Sequence, residues 1–178
     1  MIDTFHLFKA VLKNPKNVGT LVPSSKQLGV KIAKEIKNKD GVVVEFGGGT
    51  GSITKRLIES GISPEKLYIF EINEQLCTRL KKKFPKCHVI NKPAEEVLFL
   101  ERDIDYIVSC LPLKTLPKEV VDKTILNSFN KLKKNGRFIQ FTYDLKKCSP
   151  ILRKTFSLKG THFSFKNLPP ARIDTFLN

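Results

Sequence analysis

The chain contains no run of 18 uninterrupted apolar residues, so no segment is expected to cross a bilayer as a helix. A secretory leader is not expected either, because Lys9 and Lys13 interrupt the apolar N-terminal stretch. Cys77, Cys87, Cys110 and Cys148 form no C-x-x-C pair, which removes the usual spacing of a zinc site or a redox dithiol, and no metal site is expected. Reduced thiols in a cytoplasm are the simplest reading of these cysteines. Acidic residues are scarce: 17 Asp and Glu face 32 Lys and Arg, leaving a formal charge of +15 over 178 residues. That excess points to an anionic partner, a phosphate backbone or an acidic lipid surface, or else to well-solvated helix faces. There is no internal repeat, linker or low-complexity stretch. A chain of this length forms one domain able to bury roughly two-thirds of its unfolded surface.

What is present is organised around Val42-Val43-Val44-Glu45-Phe46, followed by Gly47-Gly48-Gly49-Thr50-Gly51. The β-branched run reads as a buried parallel strand, and the apolar-spaced residues from Ser52 to Ile58, closed by Gly61, read as a helix. Glycines fill four of the five positions between them, where the backbone can turn at positive φ and a ligand can approach the main chain. Strand, turn and helix N-terminus together make a nucleotide-binding crevice. Glu71 stands twenty residues past Gly51, at the end of a second apolar strand, Leu67-Tyr68-Ile69-Phe70, where a carboxylate can grip ribose hydroxyls. A dinucleotide fingerprint would need a further glycine where Ser52 stands, so a pyrophosphate cradle fits poorly.

Elsewhere strand and helix alternate, which predicts an α/β sheet. Ser24 and Gln27 form a capping box for a helix with Leu28, Ile32 and Ile36 inward. Asn73 caps another, with Leu76, Leu80 and Phe84 on one face and Pro85 as its stop. Strands are predicted at His88–Ile90, Asp105–Cys110 and Arg137–Tyr143, with two more near 156–165 and 171–177. Pro117 opens a long helix with Val121, Ile125, Phe129 and Leu132 inward, ending at Asn135-Gly136. Residues 1–13 place Phe5, Phe8 and Leu12 on one helical face, suited to a membrane interface or to a lid over the domain itself.

The pattern Glu45-x-Gly47-x-Gly49-x-Gly51 resembles the first motif of the Rossmann-like class I methyltransferases, whose ligand is S-adenosylmethionine. Five blocks, that motif among them, are similar to the soluble bacterial phospholipid N-methyltransferases and their ornithine-lipid relatives. They are Val18 to Ser25, Glu45 to Gly51, Ser109-Cys110-Leu111-Pro112-Leu113, Gln140-Phe141-Thr142-Tyr143, and Asn167-Leu168-Pro169-Pro170-Ala171-Arg172, collinear over essentially the whole chain. The resemblance implies a seven-stranded, mostly parallel sheet with helices on both faces. It divides the chain into an N-terminal helical lid and membrane-contact segment, 1–40, and a Rossmann-like core, 41–178. It also implies a peripheral enzyme on the inner face of a membrane that methylates an aminophospholipid on an anionic surface. Cofactor contacts are implied at Glu45, Gly47, Gly49, Gly51, Glu71, Ala94, Ser109 and Leu111. Pro93 stands where relatives often place an acidic residue near the adenine amine, which leaves Glu95 for that role.

The alternative is an RNA adenine methyltransferase, a family similar through its first motifs. There an aromatic residue after the fourth strand stacks on the target base, and this chain has Leu113 instead.

Methyl transfer to an amine needs a neutral nucleophile, so a proton must leave. Water, Tyr143 relaying toward Asp144, or His6 are the available routes, with Tyr143 equally suited to packing. A methylated cation is held by aromatic faces, for which Phe5, Phe8 and Tyr143 are available. Arg172 suits a phosphate anchor, or an ion pair with Asp174 or Glu119.

Overall fold

The structure is a computed structural model that describes residues 26–145, 149–165 and 170–178. Seven strands form one sheet: β1 (Val43–Phe46), β2 (Leu67–Phe70), β3 (His88–Ile90), β4 (Ile104–Ser109), β5 (Leu132–Thr142), β6 (Ser157–Ser164) and β7 (Ala171–Leu177). Their spatial order is β3-β2-β1-β4-β5-β7-β6. The order reverses at β1, because β2 and β3 lie on one side of it and β4 on the other, and a ligand crevice opens at such a switch. All pairings from β3 to β5 are parallel, and β7 runs antiparallel to both β5 and β6. β6 therefore ends, and β7 begins, at the edge where the parallel strands end.

Period-two alternation sorts the strand residues into two cores. Val44, Phe46, Phe70, Ile107 and Phe138 face one layer, packed under Val121 and Ile125 of α4 (Lys118–Lys131), the short turn Ala94–Phe99, and Leu152 of α5 (Pro150–Thr155). Val43, Ile69, Val108 and Ile139 face the other. There they meet Leu28, Ile32, Ala33 and Ile36 around α1 (Lys26–Glu35), Ile53 and Leu57 of α2 (Ser52–Glu59), and Leu80 of α3 (Glu74–Lys83). Both sheet faces are covered by helices, as parallel strands require.

The boundary expected between 40 and 41 needs revision. The face of α1 that carries Leu28 and Ile32 is wholly buried against the sheet, so this helix is a core layer and no lid. Its expected cap Ser24, and the amphipathic stretch 1–13, lie outside the described residues. Asn73 caps α3 as anticipated, its Oδ1 accepting the Leu76 amide at 3.0 Å.

A second correction concerns the end of α4. The helix stops at Lys131 instead of running to Asn135-Gly136, and Leu132 is already the first residue of β5, paired with Ile104. The next pair is Tyr106 with Arg137, so the register slips and residues 133–136 bulge outward. Asn135 takes the left-handed φ of 65° that makes this bulge, a conformation Asn tolerates better than most residues. Leu132 still reaches the core from its strand, whereas Phe129, expected inward, is 39% exposed, with its ring tilted at 60° to that of Phe156 and the centroids 5.5 Å apart.

Candidate functional site

The crevice is built at the carboxyl ends of β1, β2 and β4. Gly47 N–H donates to the Phe70 carbonyl at 2.8 Å and Cys110 N–H to the Phe46 carbonyl at 3.0 Å, tying the loops after β1, β2 and β4 together. The four glycines after β1 divide by task. A Cβ on Gly48 would stand 2.5 Å from Ile69, and one on Gly51 2.4 Å from the Phe84 ring, so these two let the loop press against α3. A Cβ on Gly49 would meet nothing nearer than the Gly47 carbonyl at 4.0 Å, although φ is +54°. Gly49 therefore faces open space, and a side chain there would occupy the ligand's approach. On Gly47 a Cβ would come within 3.3 Å of Leu111.

Glu71 is 2% exposed and braces this loop from β2. Its Oε2 accepts the Gly49 amide at 2.8 Å and its Oε1 the Asn73 amide at 2.8 Å. An ionised carboxylate has about four acceptor positions, so two remain for a pair of vicinal hydroxyls. The carbonyl of Glu71 accepts from Asn91 Nδ2 at 2.8 Å, fixing the next loop beside it.

Glu45 sits differently from the other expected contacts. Its register partners Ile69 and Val108 belong to the core under α1 and α2, and its Oε2 accepts the Thr54 hydroxyl of α2 at 2.6 Å. It is fully buried, and burial pushes its carboxyl up to about 8. The Thr54 hydrogen bonds oppose that shift, and the Glu71 charge adds to it. Its other oxygen has no partner among the described residues. Glu45 thus anchors the helix that follows the glycine loop.

Ala94 packs in the core, and Glu95 is half-buried, its backbone carbonyl held by Asn127 Nδ2 at 2.6 Å. Ser109 ends β4 with a buried hydroxyl that has no partner among the described residues. Tyr143 is 37% exposed and meets the Phe141 ring edge-on at 5.3 Å. Asp144, its expected relay partner, is engaged by Lys114. Phe5, Phe8 and His6 lie outside the described residues.

Arg172 is buried beside the Phe163 ring, its Nε donating to Asp174 Oδ1 at 2.9 Å. Of the two roles open to it, the structure contains the ion pair with Asp174; Thr161 donates to the same oxygen at 2.6 Å. Burial raises the Cys110 thiol well above its ordinary range and the Cys87 thiol to about 11, which leaves both as inert packing groups. Residues that the sequence reading passed over are Thr54, Thr161 and the side chain of Gln140. The signal for Gln140 was a polar residue between Phe138-Ile139 and Phe141 in an apolar stretch of its strand.

The strand order, with one antiparallel strand between the last two parallel positions, and the glycine loop braced by Glu71 narrow the fold to one class. A family model described as a methyltransferase domain matches residues 43–136, which is more than half of the sequence. The chain belongs to the methyltransferase-domain family. It is a class I, S-adenosylmethionine-dependent methyltransferase. Among solved structures, the N-methyltransferase NodS from Bradyrhizobium japonicum, in complex with S-adenosylhomocysteine, superposes with a TM-score of 0.74 at 13% identity, covering 99% of this chain and 98% of that one.

Among curated relatives, an ornithine lipid N-methyltransferase from Singulisphaera acidiphila is 28% identical over 96% of this methyltransferase and 94% of that protein. Ribosomal RNA small subunit methyltransferase A from Ureaplasma urealyticum is 32% identical over 55% of this chain, which spans only 38% of that protein's length. The crevice fits the cofactor on its own terms: open space at Gly49 and spare acceptor positions on Glu71.

Proposed function

We propose that this methyltransferase N-methylates the amine head group of a membrane aminolipid at an anionic membrane surface. The observation that carries the reading is the end-to-end similarity to an ornithine lipid N-methyltransferase, over 96% of this chain and 94% of the relative. Similarity to the ribosomal RNA enzyme stops at 38% of that protein. The loop after β4 supports the same choice. Leu113 packs against the core there, so no aromatic platform for a flipped base stands at that position.

S-adenosylmethionine, when bound, supplies an activated methyl group. Glu71 would hold its ribose, and Gly47 and Gly49 would give it room against the main chain. The protein's task is then to position a neutral amine in line with the methyl group, and orientation of this kind lowers barriers by up to about 7–11 kcal/mol. The amine held in line would accept the methyl group from the cofactor's sulfonium on its lone pair and give up its proton to water. Residues 1–13 supply the amphipathic contact with the bilayer, and the excess of 32 basic over 17 acidic side chains favours an acidic surface.

The test is incubation with labelled adenosylmethionine and either a lipid extract or RNA. Label in an aminolipid head group is the expected result; label in RNA adenine replaces this reading.

A further inference from the structure

Along one register row the sheet changes character. Phe70 on β2 and Phe46 on β1 are apolar, and their neighbours Ser109 on β4, Gln140 on β5, Asp174 on β7 and Thr161 on β6 are polar. Asp174 and Thr161 satisfy one another and Arg172. Ser109 and Gln140 do not.

Gln140 is 4% exposed, and its Nε2 donates to the Leu111 carbonyl at 3.0 Å and to the Phe141 carbonyl at 2.6 Å. Those two acceptors fix the amide orientation, since the flipped form would set an oxygen against two carbonyls. The amide oxygen is consequently the free end, and neither it nor Ser109 Oγ has a partner among the described residues. Buried acceptors are normally paired, so two at register positions on adjacent strands mark a place where something donates. They flank Leu111, which lies against the Gly47 position of the cofactor loop.

We propose that Gln140 Oε1, with Ser109 Oγ beside it, receives the N–H bonds of the amine being methylated. This rests on the aminolipid reading and assigns the residues that hold its nucleophile. The amide oxygen of Gln140 accepts only, so it disfavours carboxylates and phosphates and favours a ligand that brings N–H. Gln140 also lies two strands beyond β1, on the side away from Glu71, as a second substrate requires. Holding the neutral amine by its hydrogens leaves the lone pair directed outward for attack. The amide takes no proton itself.

Gln140→Met removes the acceptor at nearly constant volume, together with the amide donors to Leu111 and Phe141, and Ser109→Ala removes the neighbouring hydroxyl without creating an unpaired group. The probes are head-group lipids bearing a primary, a secondary or a tertiary amine, with adenosylhomocysteine affinity measured in parallel by calorimetry. The expected result is a rise in KM for the primary amine of about tenfold, a similar rise for the secondary amine, and none for the tertiary amine, whose neutral form has no N–H. Adenosylhomocysteine affinity should stay within about twofold, a shift below the error of single-group effects.

An unchanged primary-amine KM in both variants overturns the proposal. So does an equal loss on all three amines, which marks a structural role, or a matching loss of adenosylhomocysteine affinity, which marks a cofactor contact. If Gln140→Met does not fold, Ser109→Ala decides by the same pattern. Wild-type protein that methylates none of the amines refutes the aminolipid reading itself.

Discussion

Glu71 and Gly49 are joined by a hydrogen bond of 2.8 Å, in which a carboxylate on one strand accepts the amide of the loop leaving the neighbouring strand. The same carboxylate holds the amide of Asn73, so the group expected to grip ribose also sets the shape of the pocket around it.

Glu71→Ala should therefore weaken adenosylhomocysteine binding by about 1.5–3 kcal/mol, the size of a hydrogen bond to a charged group. Calorimetry at fixed pH reads this directly. An unaltered affinity with the fold intact removes the assignment of the crevice.

Substitutions at two glycines should separate binding from stability. Gly49→Ala adds a methyl group into open space and should lower cofactor affinity, with about 1–2 kcal/mol of stability lost to the positive φ. Gly51→Ala drives the methyl into Phe84 at 2.4 Å and should add an overpacking penalty of about 1–3 kcal/mol to that strain. Denaturant melts and calorimetry on both variants check the division.

Glu45 gives the fold a pH dependence of known sign. Its folded-state value of about 8 lies above the ordinary 4.5, so the folded protein keeps a proton that the unfolded chain loses. The stabilisation is complete below pH about 4.5, falls by about 1.4 kcal/mol per pH unit above that, and is gone once the pH passes about 8. Glu45→Gln should flatten this part of the profile and leave the variant more stable than wild type above pH about 8. Urea unfolding of both proteins across the window measures the difference.

Removing residues 1–13 should leave a folded domain, because the described strands and helices from Leu28 onward bury a core on each face of the sheet. Methylation of vesicle lipid and sedimentation with phosphatidylglycerol vesicles should both fall sharply, as should salt-sensitive binding. Phe5→Asp combined with Phe8→Asp should reproduce the loss. Undiminished vesicle methylation by the truncated chain refutes the membrane role of this segment.

The alternation of strands and helices, the glycine loop and Glu71 were legible because each is written locally, in a period of two, a period of 3.6 or a run of glycines. The end of α4 was not, since Asn135-Gly136 signals a helix stop and a strand bulge equally well, and only pairing with β4 decides. The free carbonyl of Gln140 was hidden for a related reason. It depends on which atoms of Leu111, some thirty residues away, reach the amide. Arg172 could be read as an anchor or as half of an ion pair, and alternation along β7 alone does not choose between them.

Asn178 closes the sheet at its far edge, its backbone N–H donating to the Gly136 carbonyl at 3.0 Å and its side chain to the Leu132 carbonyl at 2.8 Å. Because β7 runs against its neighbours, any chain continued past this residue leaves from the end of the domain opposite the crevice. A tether, reporter or solid support attached there would hold the protein with its pocket turned outward.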